Sequence, residues 1–198
     1  MKKKRLIKRA CMLLLTACLL TGTVQVVNQA VTVTAQASTS TNKKLKSKAT
    51  KIVDKKVKKK DSKKTKLKKL FQYVEKSYGY KRTIGFKTYK GWEKDYALEM
   101  YNDKKGSCYH FAAAYAFLAK KATGYNVRIG IGKTNGFSGK LQQHAWVEIK
   151  IKDTWYICDP NMDKFAEDCS GKYFLVKRSK LKKTYNNYKK VKYVNVTF

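Results

Sequence analysis

The sequence predicts an α+β domain in which N-terminal helices are followed by an antiparallel sheet. Apolar residues recur three and four positions apart within residues 67–123, which is typical of helices. After residue 126, apolar residues alternate with polar ones, and two such runs are joined by a short turn, as in a hairpin of strands. The last predicted helix is rich in alanine, and such small side chains let a sheet pack closely against a helix.

The first 37 residues are expected to be a removable export signal. The basic stretch Met1–Arg9 precedes an apolar run, Ala10–Leu20, that is too short to span a bilayer comfortably. Ala35–Ala37 has the small-x-small form of a signal-peptidase site. The alternative is a lipoprotein box at Leu15–Cys18, which would leave the protein lipid-anchored at Cys18. The protein is therefore expected to be secreted, with cell-wall association or a lipid anchor as further expectations.

The net charge of +33 is concentrated outside the central part of the chain. Residues 71–171 have 16 basic and 11 acidic side chains, whereas residues 42–70 have 15 lysines and two aspartates. Residues 38–66 have few large apolar side chains, so they are expected to form a Lys-rich disordered linker. Such a tail would adhere to an anionic cell-envelope polymer or lipid. The nearly balanced centre argues against specific nucleic-acid binding.

Three helices are predicted before the sheet, within a domain that covers residues 67–198. The first covers Leu67–Ser77, where apolar residues repeat at helical spacing. The second covers Trp92–Asn102, and the third runs from Cys108 to about Thr123. Gly124 is well placed to end the third helix.

Five strands are predicted to follow. Residues 126–131 alternate as a first strand, and residues 145–151 and 155–159 form a hairpin around a polar turn. Residues 172–177 and 191–198 are interpreted as two further strands.

Cys108 is the candidate nucleophile. It opens the alanine-rich helix directly after a capping serine, and the partial positive charge of a helix N-terminus favours a thiolate over a thiol. Removal of the signal would also remove Cys11 and Cys18, which leaves three cysteines. A Cys158–Cys169 disulfide would leave Cys108 as the free thiol. The alternative, that all three cysteines are reduced, stays open.

His144 and Asp159 are the candidate partners of this thiol. His144 opens one strand of the hairpin and Asp159 closes the other, so both lie at the same end of it. A carboxylate beside the imidazole would hold it in one tautomer, and a Cys-His-Asp nucleophile then has its three parts. His110, two residues after Cys108, points to another face of the helix and is interpreted as a surface or packing residue.

Three separated motifs resemble the transglutaminase-like superfamily over about residues 90–165. They are Gly106-Ser107-Cys108 before the alanine-rich helix, His144-Ala145-Trp146-Val147-Glu148, and Trp155-Tyr156 before Asp159-Pro160. The resemblance implies a papain-like α+β core in which Cys108 is the nucleophile, His144 the base and Asp159 the orienting acid. It implies no cofactor and no metal, and the chain has no acidic calcium-binding clusters. The superfamily includes transglutaminases, cysteine peptidases, glycan-stripping amidases and members with broken triads.

The expected function is therefore that of an exported thiol enzyme that cleaves or transfers amide bonds of protein or cell-envelope peptides through a thioester. The alternative is a non-catalytic envelope-binding module that has kept the fold. The backbone N–H of Cys108 can donate to the oxyanion. The second oxyanion donor stays open among four residues: Asn102, Tyr78, Tyr80 and Trp92.

Overall fold

The computed structural model describes residues 39–166, 171–181 and 188–198. Residues Asn42–Phe198 form one compact unit, and only residues 39–41 are described of the other unit, Met1–Thr41. The expected export signal and Cys169 both lie outside the described residues. Within the part of the chain that the structure describes, no helix has the length and apolar character needed to cross a membrane.

Helices dominate the first half of the described chain and strands dominate the second. The elements are α1 (39–56), α2 (Lys63–Ser77), β1 (Gly79–Tyr80), α3 (Trp92–Asp103), β2 (Lys105–Gly106), α4 (Cys108–Thr123), β3 (Asn126–Thr134), β4 (Gln142–Ile151), β5 (Thr154–Cys158), α5 (Pro160–Phe165), β6 (Val176–Lys177), a 3-10 turn (Arg178–Lys180) and β7 (Tyr188–Asn195). This order confirms the predicted α+β class.

The main sheet is antiparallel, with its five strands in the order β6-β5-β4-β3-β7. Strands β1 and β2 form a separate parallel pair that joins the start of the loop after α2 to the residues just before α4. Strands β4 and β5 form the predicted hairpin, in which Val147 pairs with Cys158.

Helix α4 is the centre of the core. Every side chain from Phe111 to Ala119 is buried, because α2 and α3 cover the helix from one side and strands β3 and β4 from the other. The alanines allow this close approach, and the larger side chains fill the space between the layers. Gly124 ends the helix with φ +71°, a left-handed conformation that glycine adopts without steric cost.

The structure corrects the expectation of a disordered linker over residues 38–66. Residues 39–56 form α1, and Leu45, Ala49 and Val53 of this helix are buried in the main core. The spacing of four residues places these side chains on one stripe of the helix, while the lysines occupy the other faces. This narrow apolar stripe is sufficient to hold the helix in place because the main core covers it. The compact unit accordingly begins before the predicted domain start at Leu67.

The strand predictions after the hairpin are wrong in part. Only Val176–Lys177 of the segment 172–177 are in a strand, and the last strand is Tyr188–Asn195 rather than 191–198. Asp159 does not close a strand but caps the unpredicted helix α5, where its Oδ1 accepts a hydrogen bond from the Met162 N–H at 2.9 Å.

Candidate active site

Cys108 is the first residue of α4, and its side chain borders a cleft of about 1100 Å³. The residue is 7 % exposed, so its thiol meets solvent only through this cleft. The position combines the field of the helix N-terminus with access for a substrate.

His110 fixes the backbone directly before the thiol. Its Nδ1 accepts from the Ser107 backbone N–H at 3.2 Å and lies 3.0 Å from the Ser107 hydroxyl. Its Nε2 lies 2.9 Å from Glu99 Oε2, and its ring stacks on Tyr96. Gly106 is required beside it, because a Cβ there would lie 2.4 Å from the Cβ of His110. His110 is therefore a buried capping residue, consistent with the packing interpretation but not with a surface position.

His144 and Asp159 form a buried pair. The distance between His144 Nε2 and Asp159 Oδ2 is 2.6 Å, and the two residues are 1 % and 0 % exposed. The Cys108 thiol lies close enough to His144 to act on its pKa. Because Nε2 is bonded to the carboxylate, we infer that Nδ1 faces the thiol. Helix α4, strand β4 and the N-terminus of α5 thus bring the three predicted residues together.

Burial acts to lower the pKa of His144, but its neighbours outweigh that effect. The Asp159 carboxylate and the Cys108 thiol together raise the pKa of His144 to about 10. The imidazole is therefore held as an imidazolium at neutral pH, where it can stabilise a thiolate and carry a proton.

Tyr188 is a further partner of Asp159 that the sequence reasoning missed. Its hydroxyl donates to Asp159 Oδ2 at 2.8 Å, so this oxygen accepts from both Tyr188 and His144. The Asp159 N–H donates to the Tyr173 carbonyl at 2.9 Å. With the Met162 N–H bound to Oδ1, both oxygens of the carboxylate accept hydrogen bonds. Tyr188 is 29 residues away in sequence, and no local pattern connects it to Asp159.

Two glycines of β3 make room for the aromatic layer behind His144. Trp146 follows His144 on the same face of β4 and packs on Tyr188, with ring centroids 4.3 Å apart. A Cβ on Gly130 would lie 2.5 Å from the Trp146 ring, and a Cβ on Gly132 would lie 2.4 Å from the Lys189 carbonyl. These glycines therefore permit a close approach that a larger residue would prevent.

Glu148 anchors the same face of the sheet. Its Oε2 accepts from Arg128 at 2.6 Å, and its Oε1 accepts from Arg178 at 2.6 Å and from Trp146 Nε1 at 3.1 Å. Burial acts to raise the pKa of Glu148, but these donors outweigh it and hold the pKa below its usual range. The network fixes Trp146, which in turn packs against the residues around Asp159.

One of the four candidate oxyanion donors, Tyr80, lines the cleft beside Cys108. Asn102 accepts a hydrogen bond from Lys48, Tyr78 donates to Tyr73, and Trp92 is buried among aromatic rings. None of these three is among the residues that line the cleft, so Tyr80 is the candidate that the structure favours.

Cys158 is a buried free thiol. Burial raises the pKa of Cys158 to about 12, so the thiol is unreactive at neutral pH. The expected disulfide partner, Cys169, lies outside the described residues, so the Cys158–Cys169 disulfide stays a prediction.

The match to a known family covers most of this site. The family model Transglut_core, described as the transglutaminase-like superfamily, matches residues 33–160. The chain belongs to the transglutaminase-like superfamily. Cys108, His144 and Asp159 all lie within the matched residues. No curated protein matches the chain. Within the described ranges, no group of three or more His, Cys, Asp and Glu side chains is arranged to hold a metal ion.

The chain is also similar to parts of larger solved structures. A candidate cysteine protease from Cytophaga hutchinsonii is 19 % identical with a TM-score of 0.46, over 58 % of this chain and 37 % of that one. A TGase is 18 % identical with a TM-score of 0.46, over 59 % and 31 %. A Rad4–Rad23 complex bound to a 6-4 photoproduct UV lesion is 14 % identical with a TM-score of 0.48, over 76 % and 40 %. The chain therefore spans well under half the length of each.

Proposed function

We propose that the chain is an exported cysteine enzyme that cleaves or transfers amide bonds of proteins or cell-envelope peptides through a thioester on Cys108. The observation that carries this proposal is the buried His144–Asp159 pair, joined at 2.6 Å and next to a thiol at a helix N-terminus that borders an open cleft. Each part has the burial and the partner that nucleophilic thiol catalysis requires.

In the first half of the reaction, the Cys108 thiolate attacks the amide carbonyl carbon and a C–S bond forms. The backbone N–H of Cys108 and the Tyr80 side chain, which borders the same cleft, are the candidate donors to the resulting oxyanion. The C–N bond then breaks, and the His144 imidazolium gives its proton to the leaving amine. Asp159 keeps the ring oriented throughout.

In the second half, water or a primary amine attacks the thioester. His144 accepts the proton of the attacking group, the C–S bond breaks, and the thiolate is regenerated. Water gives hydrolysis and an amine gives cross-linking. The cleft is open and lined on both sides by polar residues, so either water or an amine can reach the thioester.

The test is mass spectrometry of the protein after incubation with a mixture of glutamine-containing and asparagine-containing peptides, with and without an added primary amine. We expect an acyl adduct on Cys108 and products that have gained water or exchanged ammonia for the amine. Cys108→Ala should abolish both, and Cys158→Ala, at a buried thiol outside the cleft, should retain them. An unmodified Cys108 and unchanged peptides would contradict the proposal.

A second candidate function is a non-catalytic module that binds the cell envelope. It is favoured by the 15 lysines of residues 42–70, most of which lie on exposed faces of α1 and α2. Binding to isolated cell walls or anionic vesicles should then fall with salt and survive Cys108→Ala. Both functions can coexist, with the lysines holding a secreted enzyme at an anionic polymer or lipid. Sequencing the N-terminus of the mature protein distinguishes cleavage after Ala37 from a lipid on Cys18.

A further inference from the structure

The cleft beside Cys108 is lined by cations. Among the described residues, five cationic side chains and no acidic one border it: Arg82, Lys87, Lys133, Lys190 and Lys192. The loop between β1 and α3 supplies the first two, β3 supplies the third and β7 supplies the last two. Cations therefore face the cleft from opposite sides.

None of these five forms an ion pair with a residue that the structure describes. Arg128 and Arg178 differ, because both are bound to the Glu148 carboxylate. Lys133 even lies directly across from Lys189 on β7, a like-charge pair that destabilises a sheet. Cations that surround a nucleophile without acidic neighbours produce a positive electrostatic potential. A negatively charged ligand would neutralise it.

A local irregularity of β7 contributes to this arrangement. The pairing of β3 with β7 shifts between Ile131 and Lys133, and Lys190 has φ +50°, which is uncommon for a residue with a side chain. Such a bulge redirects side chains and is frequent beside active sites. It brings both Lys190 and Lys192 to the border of the cleft.

The cleft also has apolar surface that a peptide would cover. Ile84 is 87 % exposed and Tyr80 is 51 % exposed at its border. The loop that presents Ile84 is held by Phe86, whose ring stacks on Tyr109 at 3.6 Å. Alternating apolar and cationic groups around a thiol suit a peptide with acidic residues better than a uniform phosphate polymer, which has no apolar groups to bury.

We propose that this cleft selects an acidic peptide, in which Asp or Glu residues flank the amide that reacts with Cys108. This inference rests on the proposed function, and it adds the substrate class. The carboxylates would bind the unpaired cations on either side, and the intervening side chains would pack on Tyr80 and Ile84. Recognition of this kind acts mainly on binding and on KM, and it weakens as salt screens the charges.

The test measures fluorescence anisotropy of labelled peptides on the Cys108→Ala protein, and turnover of the same peptides by the wild type. Each peptide has one central glutamine flanked by Glu, by Ser or by Lys. We expect the Glu-flanked peptide to bind about 10-fold more tightly than the Ser-flanked one at low salt. The double variant Lys190→Glu/Lys192→Glu should remove this preference, and urea unfolding verifies that the variant is folded.

A matched control is Lys55→Glu/Lys59→Glu, which makes the same change in net charge at exposed positions outside the cleft. It should keep the preference. Arg82→Gln/Lys87→Gln in the loop provides a second variant should the strand double variant fail to fold.

Equal binding of the three peptides would overturn the inference. An equal loss of the preference for the Glu-flanked peptide in the cleft variant and in the control would also overturn it. Inorganic polyphosphate or poly(dT) is the competing ligand class. If either binds more tightly than the Glu-flanked peptide, and if this tighter binding is lost in Lys190→Glu/Lys192→Glu, the inference is overturned in favour of a polyanion. Selective binding without any turnover would leave the inference standing and count against the proposed function.

Discussion

The two histidines of the described chain are each bonded through Nε2 to a carboxylate. The distances are similar, 2.9 Å from His110 to Glu99 and 2.6 Å from His144 to Asp159. Their pKa values nevertheless move in opposite directions. Burial lowers the pKa of His110 despite the nearby Glu99, whereas Asp159 and the thiol raise the pKa of His144 to about 10.

The burial of the carboxylate explains the difference. The side chain of Glu99 is 52 % exposed, so water screens its charge, while that of Asp159 is 1 % exposed and also receives hydrogen bonds from Tyr188 and the Met162 N–H. His110 accepts from Ser107 through Nδ1, a role that requires a neutral ring. The same pair of residue types thus gives a neutral capping residue in one place and a charged candidate base in the other.

Replacing each histidine by asparagine should separate these roles most strongly. We expect His144→Asn to lower turnover at least about 1000-fold, because the proton carrier is lost. His110→Asn should lower turnover less than about 10-fold, and it should reduce the free energy of unfolding by about 1 kcal/mol through the weakened cap. Steady-state kinetics and urea unfolding of both variants check this. Equal losses of turnover would remove the distinction between the two residues.

The two carboxylates should differ in their effect on the thiol itself. Asp159→Asn should slow alkylation of Cys108 by iodoacetamide at pH 6.5 about 100-fold, since the imidazolium that stabilises the thiolate is lost. Asparagine still caps α5, which limits damage to the fold. Glu99→Gln should change the rate less than about 2-fold, because a screened charge acts weakly. A similar slowing in both variants would mean that Asp159 acts only through local structure.

The opposite pKa shifts predict opposite effects of pH on stability. His144, with a raised pKa, contributes stability that is complete below pH 6.5 and is lost as the pH rises through about 10. His110, with a lowered pKa, costs stability as the pH falls below 6.5.

Urea unfolding between pH 5 and 10 tests this. Relative to His144→Asn, the wild type should lose at least about 1.4 kcal/mol between pH 6.5 and 10, the equivalent of one pKa unit. Relative to His110→Asn, it should lose stability only below pH 6.5. Parallel pH profiles for the three proteins would contradict the assignment of charges.

Tyr188→Phe should have the smallest effect. It removes one hydrogen bond to Asp159 and leaves the His144 contact in place, so we expect turnover to fall by less than about 10-fold. Tyr193→Phe, which removes a hydroxyl 3.2 Å from Glu148, is the matched control and should leave turnover unchanged. A loss as large as that of Asp159→Asn would show that Tyr188 holds the carboxylate almost alone.

Much of the fold could be predicted because its signals are local. Helix α4 matches its predicted bounds from Cys108 to Thr123, since a capping serine and a terminal glycine enclose an apolar segment. Helix α1 could not be recognised, because its apolar stripe is narrow among many lysines and is stabilised only by the core that covers it. Helix α5 escaped prediction because it is short and because its capping residue, Asp159, was interpreted as the end of a strand.

For the candidate site, the three residue types and their order could be predicted, because a thiol at a helix start and a His–Asp pair on one hairpin are local patterns. The rest arises only in the tertiary structure: the burial of Asp159, its bond to Tyr188, the opposite pKa shifts of the two histidines and the cations around the cleft. These depend on the dielectric surroundings and on contacts between residues far apart in sequence, and both exist only once the sheet has closed over α4.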